Sequence, residues 1–446
     1  MKNHGLLLNA LIFIAIAFSA CSKDEVKPTK FNLPEKAGAV ILAGNEFGIK
    51  LFRETALAEN GNLMLSPYSA SAALTMLLNG CSANTYEQIA GMLGYPGLAP
   101  AQINEVYKQL TTQLLSADPS VKLAIANAVF YHRTFTVKPP FIGTLQTDFG
   151  AHTEALDFRS QAALNIINQW ASDNTNGKIP KVLNEISPDA VMFLMNALYF
   201  KGQWTYQFDK DKTAPGLFTL DDGTNKEVLY MHEEFPVKTL TGENYHALEL
   251  SYGRGNFVMD IVIPEGRIVP FTENLSPEIW NQITTGFDHI QASKLMVMVP
   301  KFSFSYEKIL NDQLKALGMT DAFNPELADL SGISDEDIFV SFVKQNTFVD
   351  VNEEGTEAAA VTTIGIELTS VPDFFAVDKP FIFAIREQST NTLLFLGIFM
   401  ILLVLRAIVH WWSLFRLWEK LPMPLKECFS WLWKANNLRP VRQFET

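Results

Sequence analysis

At 446 residues, with 48% hydrophobic and 19% charged residues and a formal charge of −13, the chain can bury a large core but is a poor match for nucleic acid. Its three cysteines, Cys21, Cys81 and Cys428, cannot build a disulfide framework, so the fold must stand without crosslinks. No nucleophile-elbow, zinc-binding or phosphate-loop motif is present, and His132, His152, His232, His246 and His289 are scattered, which argues against an enzyme, a metal or any other cofactor.

Lys2 precedes an apolar run over residues 6–18 that ends in Ser19-Ala20-Cys21. A basic start, a short apolar segment and small residues predict a secretory signal over 1–20, too short to span a bilayer as a helix. The Phe-Ser-Ala-Cys ending resembles a bacterial lipobox, which implies lipid on Cys21; an ordinary signal cut nearby is the alternative. The chain is then expected at the cell envelope, periplasmic or surface-exposed, with 21–36 as a flexible tether to the membrane.

Residues 37–400 carry no Pro/Gly-rich linker and no repeat. Long helical periodicities near the start give way to apolar-alternating runs at 123–130, 257–263 and 295–304, which predicts one large α+β domain. Cys81, after Gly80 at the end of an apolar helix pattern, is expected to be a small buried packing residue.

Residues 353–370 are the most distinctive stretch. From Thr356 one alternating set (Thr356, Ala358, Ala360, Thr362, Ile364, Ile366, Leu368) is uncharged, and the other holds Glu357 and Glu367. A period of two with one charge-free face suits a strand over a core. The triplet Ala358-Ala359-Ala360 is poor strand material and fits a short helix at least as well, until the β-branched run after Ala360. Glu353-Glu354-Gly355 in front reads as a hinge, so the segment is expected to be a mobile loop first and a strand later.

Val351-Asn352-Glu353-Glu354-Gly355-Thr356-Glu357-Ala358-Ala359-Ala360 resembles the reactive-loop hinge of the serpins, the serine-protease inhibitor family. Further serpin-like blocks follow family order over about 40–400: Asn62-Leu63-Met64-Leu65-Ser66-Pro67-Tyr68-Ser69, Ala126-Asn127-Ala128-Val129-Phe130, Thr175-Asn176-Gly177-Lys178-Ile179, Asn196-Ala197-Leu198-Tyr199-Phe200-Lys201-Gly202-Gln203-Trp204, Pro300-Lys301-Phe302, Asp378-Lys379-Pro380-Phe381 and Leu394-Phe395-Leu396-Gly397. The resemblance implies three β-sheets, eight or nine helices and an exposed reactive-centre loop. It implies a suicide-substrate inhibitor that traps a serine or cysteine endopeptidase as an acyl-enzyme by inserting its cleaved loop into the central sheet. A non-inhibitory, binding or chaperone-like serpin is the alternative.

Counted from Gly355 and from Lys379-Pro380-Phe381, the family loop length places the scissile bond at Thr369-Ser370, with Leu368-Thr369 as the alternative. No Arg or Lys lies between Thr356 and Ser370, so the implied target has small or apolar primary specificity: elastase-, subtilisin- or papain-like. Ser66, Ser69 and Asn196 match the polar cluster, the shutter, beneath the point where the sheet opens. Gln345 stands where many members carry histidine, and Trp204 matches the tryptophan near the top of the opening. A monomer is expected.

Family members end soon after a strand like 393–399, yet this chain continues. Residues 401–446 hold seven Lys/Arg against three Asp/Glu, a surplus of +4 that leaves the rest at −17, and five of the eight tryptophans. One reading is a membrane-associating basic-aromatic tail. The abrupt change at 401 favours the other, a frameshift or fusion at the gene's end.

Overall fold

The computed structural model describes residues 28–95, 97–356 and 374–401. The first helix, α1 (Ala37–Leu57), buries Val40, Ile41, Phe47, Leu51 and Phe52 at helical spacing. After β1 (Leu63–Leu65) comes α2 (Pro67–Leu78), which has Pro67 in its first turn and a Ser66 N-cap whose hydroxyl accepts from the Ser69 amide. Only Ala73 of α2 is not buried, so this is a core helix; it packs on both sheets.

Helices α3 (Ala83–Leu93) and α4 (Pro100–Ser116) lead into β2 (Val121–His132). Next come α5 (Pro139–Phe149), β3 (His152–Leu156), α6 (Gln161–Asn174) and β4 (Met192–Gln203). A run of strands follows: β5 (Ala214–Thr219), β6 (Asn225–Thr241), β7 (Tyr245–Tyr252) and β8 (Phe257–Pro264). Helices α7 (Ile268–Asn274) and α8 (Pro277–Asp288) precede β9 (Ser293–Pro300) and β10 (Phe302–Ile309). The rest is α9 (Asn311–Ala316), β11 (Lys344–Asn352), β12 (Gly355–Thr356), β13 (Phe374–Ala376), β14 (Phe381–Glu387) and β15 (Leu393–Phe399).

The strands form a six-stranded sheet, β10-β11-β12-β4-β2-β3, and a nine-stranded one, β1-β15-β14-β8-β7-β6-β9-β13 with β5 also on β6. The expected three sheets are present, and two of them join into the nine-stranded assembly because the long strand β6 belongs to both. It pairs with β9 over Tyr230–Val237 and with β7 over Lys238–Thr241. The apolar run at 295–304 also divides, with Lys301 separating β9 from β10.

Strands β8, β14 and β15 are buried along their whole lengths, which explains their nearly unbroken apolar runs. The charged exceptions are Asp260 on β8 and Arg386 and Glu387 on β14, with Arg386 fully buried. Its guanidinium donates to Asp260 (2.6 Å) on β8 and to Glu249 (2.6 Å) on β7. Burial pushes the Asp260 carboxyl up to about 6 although Arg386 pulls it the other way.

The expected flexible tether is docked over its described part. The Thr29 amide donates to Asn256 Oδ1 (3.0 Å) and Asn256 Nδ2 donates to the Thr29 carbonyl (2.9 Å). Asn32 makes the same double contact with the side-chain amide of Gln113, at 2.6 and 2.7 Å. Cys81 is half-buried rather than buried and donates to the Leu77 carbonyl; burial pushes its thiol well above the usual range. Among the described residues no helix is long and apolar enough to cross a membrane.

Candidate functional site

The hinge read from the sequence is a tight, mostly buried turn. Glu353 is only 3% exposed, and its carboxylate accepts from Lys301 Nζ (2.8 Å to each oxygen) and from the Thr213 hydroxyl (2.6 Å). Burial alone would raise this carboxyl, but the hydrogen bonds from Lys301 and Thr213 prevail and hold it below its ordinary value. Glu354 pairs with Lys210. The backbone is held as well: the Phe208 amide donates to the Glu353 carbonyl (3.0 Å) and the Trp204 amide to the Glu354 carbonyl (2.9 Å).

Gly355 and Thr356 then stand as a two-residue strand between β11 and β4. Thr356 registers with Val351 on one side and Gly202 on the other, and Gly355 with Asn352 and Gln203. Only glycine fits here. Its φ is +153°, and a Cβ would lie 2.0 Å from the Gly202 carbonyl oxygen. The sequence had suggested freedom at a pivot; the structure adds a close backbone crossing.

Thr356 is buried, and its hydroxyl meets the Tyr252 hydroxyl at 2.6 Å. Burial drives the Tyr252 phenol upward, so Tyr252 is neutral and able to donate or accept. Trp204 stacks on Tyr252 with centroids 4.4 Å apart, and its indole N–H donates to the Asn352 carbonyl (2.9 Å). Trp204 is thus both a packing residue and a clasp on the last residue of β11.

The four polar residues singled out further down do meet. Ser66 Oγ donates to the Leu394 carbonyl (2.7 Å). Gln345 on β11 grips the backbone of Ser66 through both ends of its amide, accepting from N and donating to O at 2.9 Å each. Ser69 donates to Asn196 on β4, and Asn196 Nδ2 donates to Asn127 (2.7 Å) on β2. The N-terminal turn of α2 therefore straddles β11 and β4.

Between those two strands, beneath Thr356, lies an opening lined by Thr175, Lys178, Ile179, Leu198, Tyr199, Phe200, Phe348 and Asp350. Lys178 sits over the Phe348 ring at 4.7 Å. Among the described residues no register joins β4 directly to β11; β12 is their link.

Glu357, Ala358, Ala359 and Ala360, the candidate bonds at Leu368, Thr369 and Ser370, Cys21, and residues 402–446 lie outside the described residues. The sequence reading missed Lys301, Lys210, Thr213 and Tyr252 at the hinge, and Asn127 below it. Lys301 and Asn127 lay inside quoted blocks, so a search for a cation to meet Glu353 could have found the former.

Residues 42–401 match the sequence pattern of the family described as Serpin (serine protease inhibitor). Iripin-2 of Ixodes ricinus is 32% identical over 397 residues, covering 86% of this chain and 96% of the relative. The leukocyte elastase inhibitor of Sus scrofa is 34% identical over 373 residues, covering 80% and 97%. Among solved structures, the thermophilic serpin Tengpin in its native state superposes with a TM-score of 0.74 at 28% identity, covering 84% of this chain and 96% of that one. Tengpin in its latent state gives a TM-score of 0.71 at 27% identity, covering 84% and 100%. The chain belongs to the serpin family and has the serpin fold, which makes it a member of a family of protease inhibitors rather than of enzymes.

Proposed function

We propose that this serpin is a suicide-substrate inhibitor of serine or cysteine endopeptidases with small or apolar primary specificity. The observation that carries the reading is the placement of Gly355–Thr356, registered on both sides within the central sheet. Extending that register by one residue at a time sets Ala358 between Val349 and Phe200, Ala360 between Thr347 and Leu198, and Thr362 between Gln345 and Asn196. Val349, Phe200, Thr347, Leu198 and Gln345 are all buried. Inserted in that register, the charge-free set would fall on the core face, and Glu357 on the other face beside Lys201 and Asp350.

In this scheme the protease nucleophile attacks the carbonyl carbon of Thr369, or of Leu368. The peptide C–N bond breaks, the new amine leaves with a proton, and an acyl-enzyme remains. The freed strand enters the opening from its top, gaining main-chain hydrogen bonds on both sides at about 0.5–1.5 kcal/mol each. A bulky or charged residue on the core face would delay it until hydrolysis wins. The similarity to leukocyte elastase inhibitors supports an elastase-like target.

Incubation with an elastase-, a subtilisin- and a papain-type enzyme, followed by denaturing gels, tests the reading. A covalent band of higher mass with at least one of them is expected. Nicked inhibitor alone, with no enzyme trapped, overturns it in favour of a non-inhibitory serpin.

We further infer a domain over 37–400 carried on an exported, envelope-anchored lipoprotein, with lipid on Cys21 after removal of 1–20. Detergent-phase partition of the mature protein, lost in Cys21→Ser, is the expected result. Its intact mass also decides whether residues 401–446 are a native tail or a gene-end artefact.

A further inference from the structure

We propose that the anchor holds the hinge end of the molecule, not the far end, against the lipid surface. The inference rests on the reading of Cys21 as the anchored residue. Two amide clamps fix the start of the domain: Asn256 on Thr29, and Gln113 on Asn32. Each satisfies both backbone groups of its residue, as a neighbouring strand would.

The clamps lie at the hinge. Asn256 is buried in the turn between β7 and β8, directly after Tyr252, which meets Thr356. In the same turn the Gly253 amide donates to the Gln203 carbonyl (2.8 Å), and Arg254 N donates to Asp118 Oδ2 (2.6 Å), just after α4. The β2 strand that follows begins with Val121 opposite Gly202, the partner of Thr356. Pro28 thus leaves the domain beside the end of the slot where the loop enters.

Geometry does the rest. From Cys21 to Pro28 the chain can span at most about 25 Å. Strand β4, from Met192 at the far end to Gln203 at the hinge, is itself about 36 Å long. A tether this short keeps the hinge end near the surface while the far end points away. Lys30 and Arg254 are exposed there, with the Tyr206 ring, and suit the phosphate and carbonyl region of a bilayer. A protease taken by the loop is then met on the membrane side and carried outward by insertion.

The test imposes the anchor chemically, so its outcome does not depend on whether cells attach lipid to Cys21; failure of that reading shows instead in the detergent partition above. The chain from Cys21 onward, with Cys81→Ser and Cys428→Ser, is coupled through Cys21 to phosphatidylcholine vesicles carrying a maleimide lipid and an acceptor dye. A donor is placed by a clickable amino acid at Gln207, beyond the hinge end of β4, or at Asp189, before its far end; both are exposed. Transfer from Gln207 is expected to exceed transfer from Asp189 by about twofold or more, given the length of β4. A flexible insert of about 20 Gly/Ser residues before Pro28, adding roughly 25 Å of reach, should shrink the difference. Equal transfer from the two positions with the native spacing, or greater transfer from Asp189, overturns the proposal.

Discussion

Glu353 gives the hinge a pH dependence of definite sign. Its folded-state carboxyl lies below the ordinary value of 4.5 because Lys301 and Thr213 outweigh the effect of burial. The contribution of those bonds is therefore fully present above the unfolded value and is lost as pH falls through the folded one. Hydrogen-exchange protection of the Trp204 and Phe208 amides, corrected for intrinsic rates, should drop as the solution is acidified past that point. In Lys301→Met it should be low already at neutral pH. The loop's core face makes a second prediction at this scale: Thr356→Arg puts an unpaired cation beside Tyr252 and Val351, at a cost of several kcal/mol. Since about 1.4 kcal/mol is a factor of ten, trapped complex on a gel should fall at least that much relative to nicked product. The alternation and Gly355 were legible in the sequence because they are local. The burial of Glu353 and half-burial of Glu354 were not, for two adjacent carboxylates before a glycine look solvated. The cation that holds Glu353 is 52 positions away and the one that holds Glu354 is 144 away.

At the scale of elements, α2 works as a bar across the slot, gripping β11 through Gln345 and β4 through Asn196. Gln345→Leu and Asn196→Ala should each destabilise the protein by about 1–3 kcal/mol by leaving buried polar groups unpaired. If the two grips act as one latch, denaturant unfolding of the double variant will show coupling of about 0.5 kcal/mol or more. Simple additivity would mean two independent contacts. Ser66, Ser69 and Asn196 were recognisable because each sits in a family-like block, and Gln345 because it stands where many members carry histidine. Thr347, which donates to the Met64 carbonyl, and Tyr252 were not, since only strand register brings them to the site. Likewise nothing local marks β6 as a strand shared by two sheets. Arg386 is another case: a cation in an apolar run becomes intelligible only when β7 and β8 supply its carboxylates. Arg386→Met, which strands Asp260 and leaves Glu249 with Lys238 alone, should cost about 3–5 kcal/mol in urea unfolding.

For the whole molecule, the opening between β4 and β11 means that the uncleaved protein has not completed its central sheet by the scheme proposed. Cleavage of the loop by a protease that escapes trapping should then raise the melting temperature by several degrees or more, as the freed segment takes its place. An unchanged melting curve after complete nicking would separate cleavage from insertion and sink the mechanism. The overall class was readable because helical periods precede a long series of alternating runs. The docking of residues 29–32 was not, because a polar, proline-bearing stretch carries no mark of the two amides that receive it.

Strand β15 lies between β1 and β14 although it is the last element of the domain to be synthesised. It also closes contacts with the first helix and the turn into the second: Leu393 N donates to Asn45 on α1, and the Leu394 carbonyl accepts from Ser66. An emerging chain cannot seal its core until residue 399 is free. If the chain is exported as proposed, that order delays closure until the domain has crossed the membrane, keeping it in the extended form a translocation channel admits.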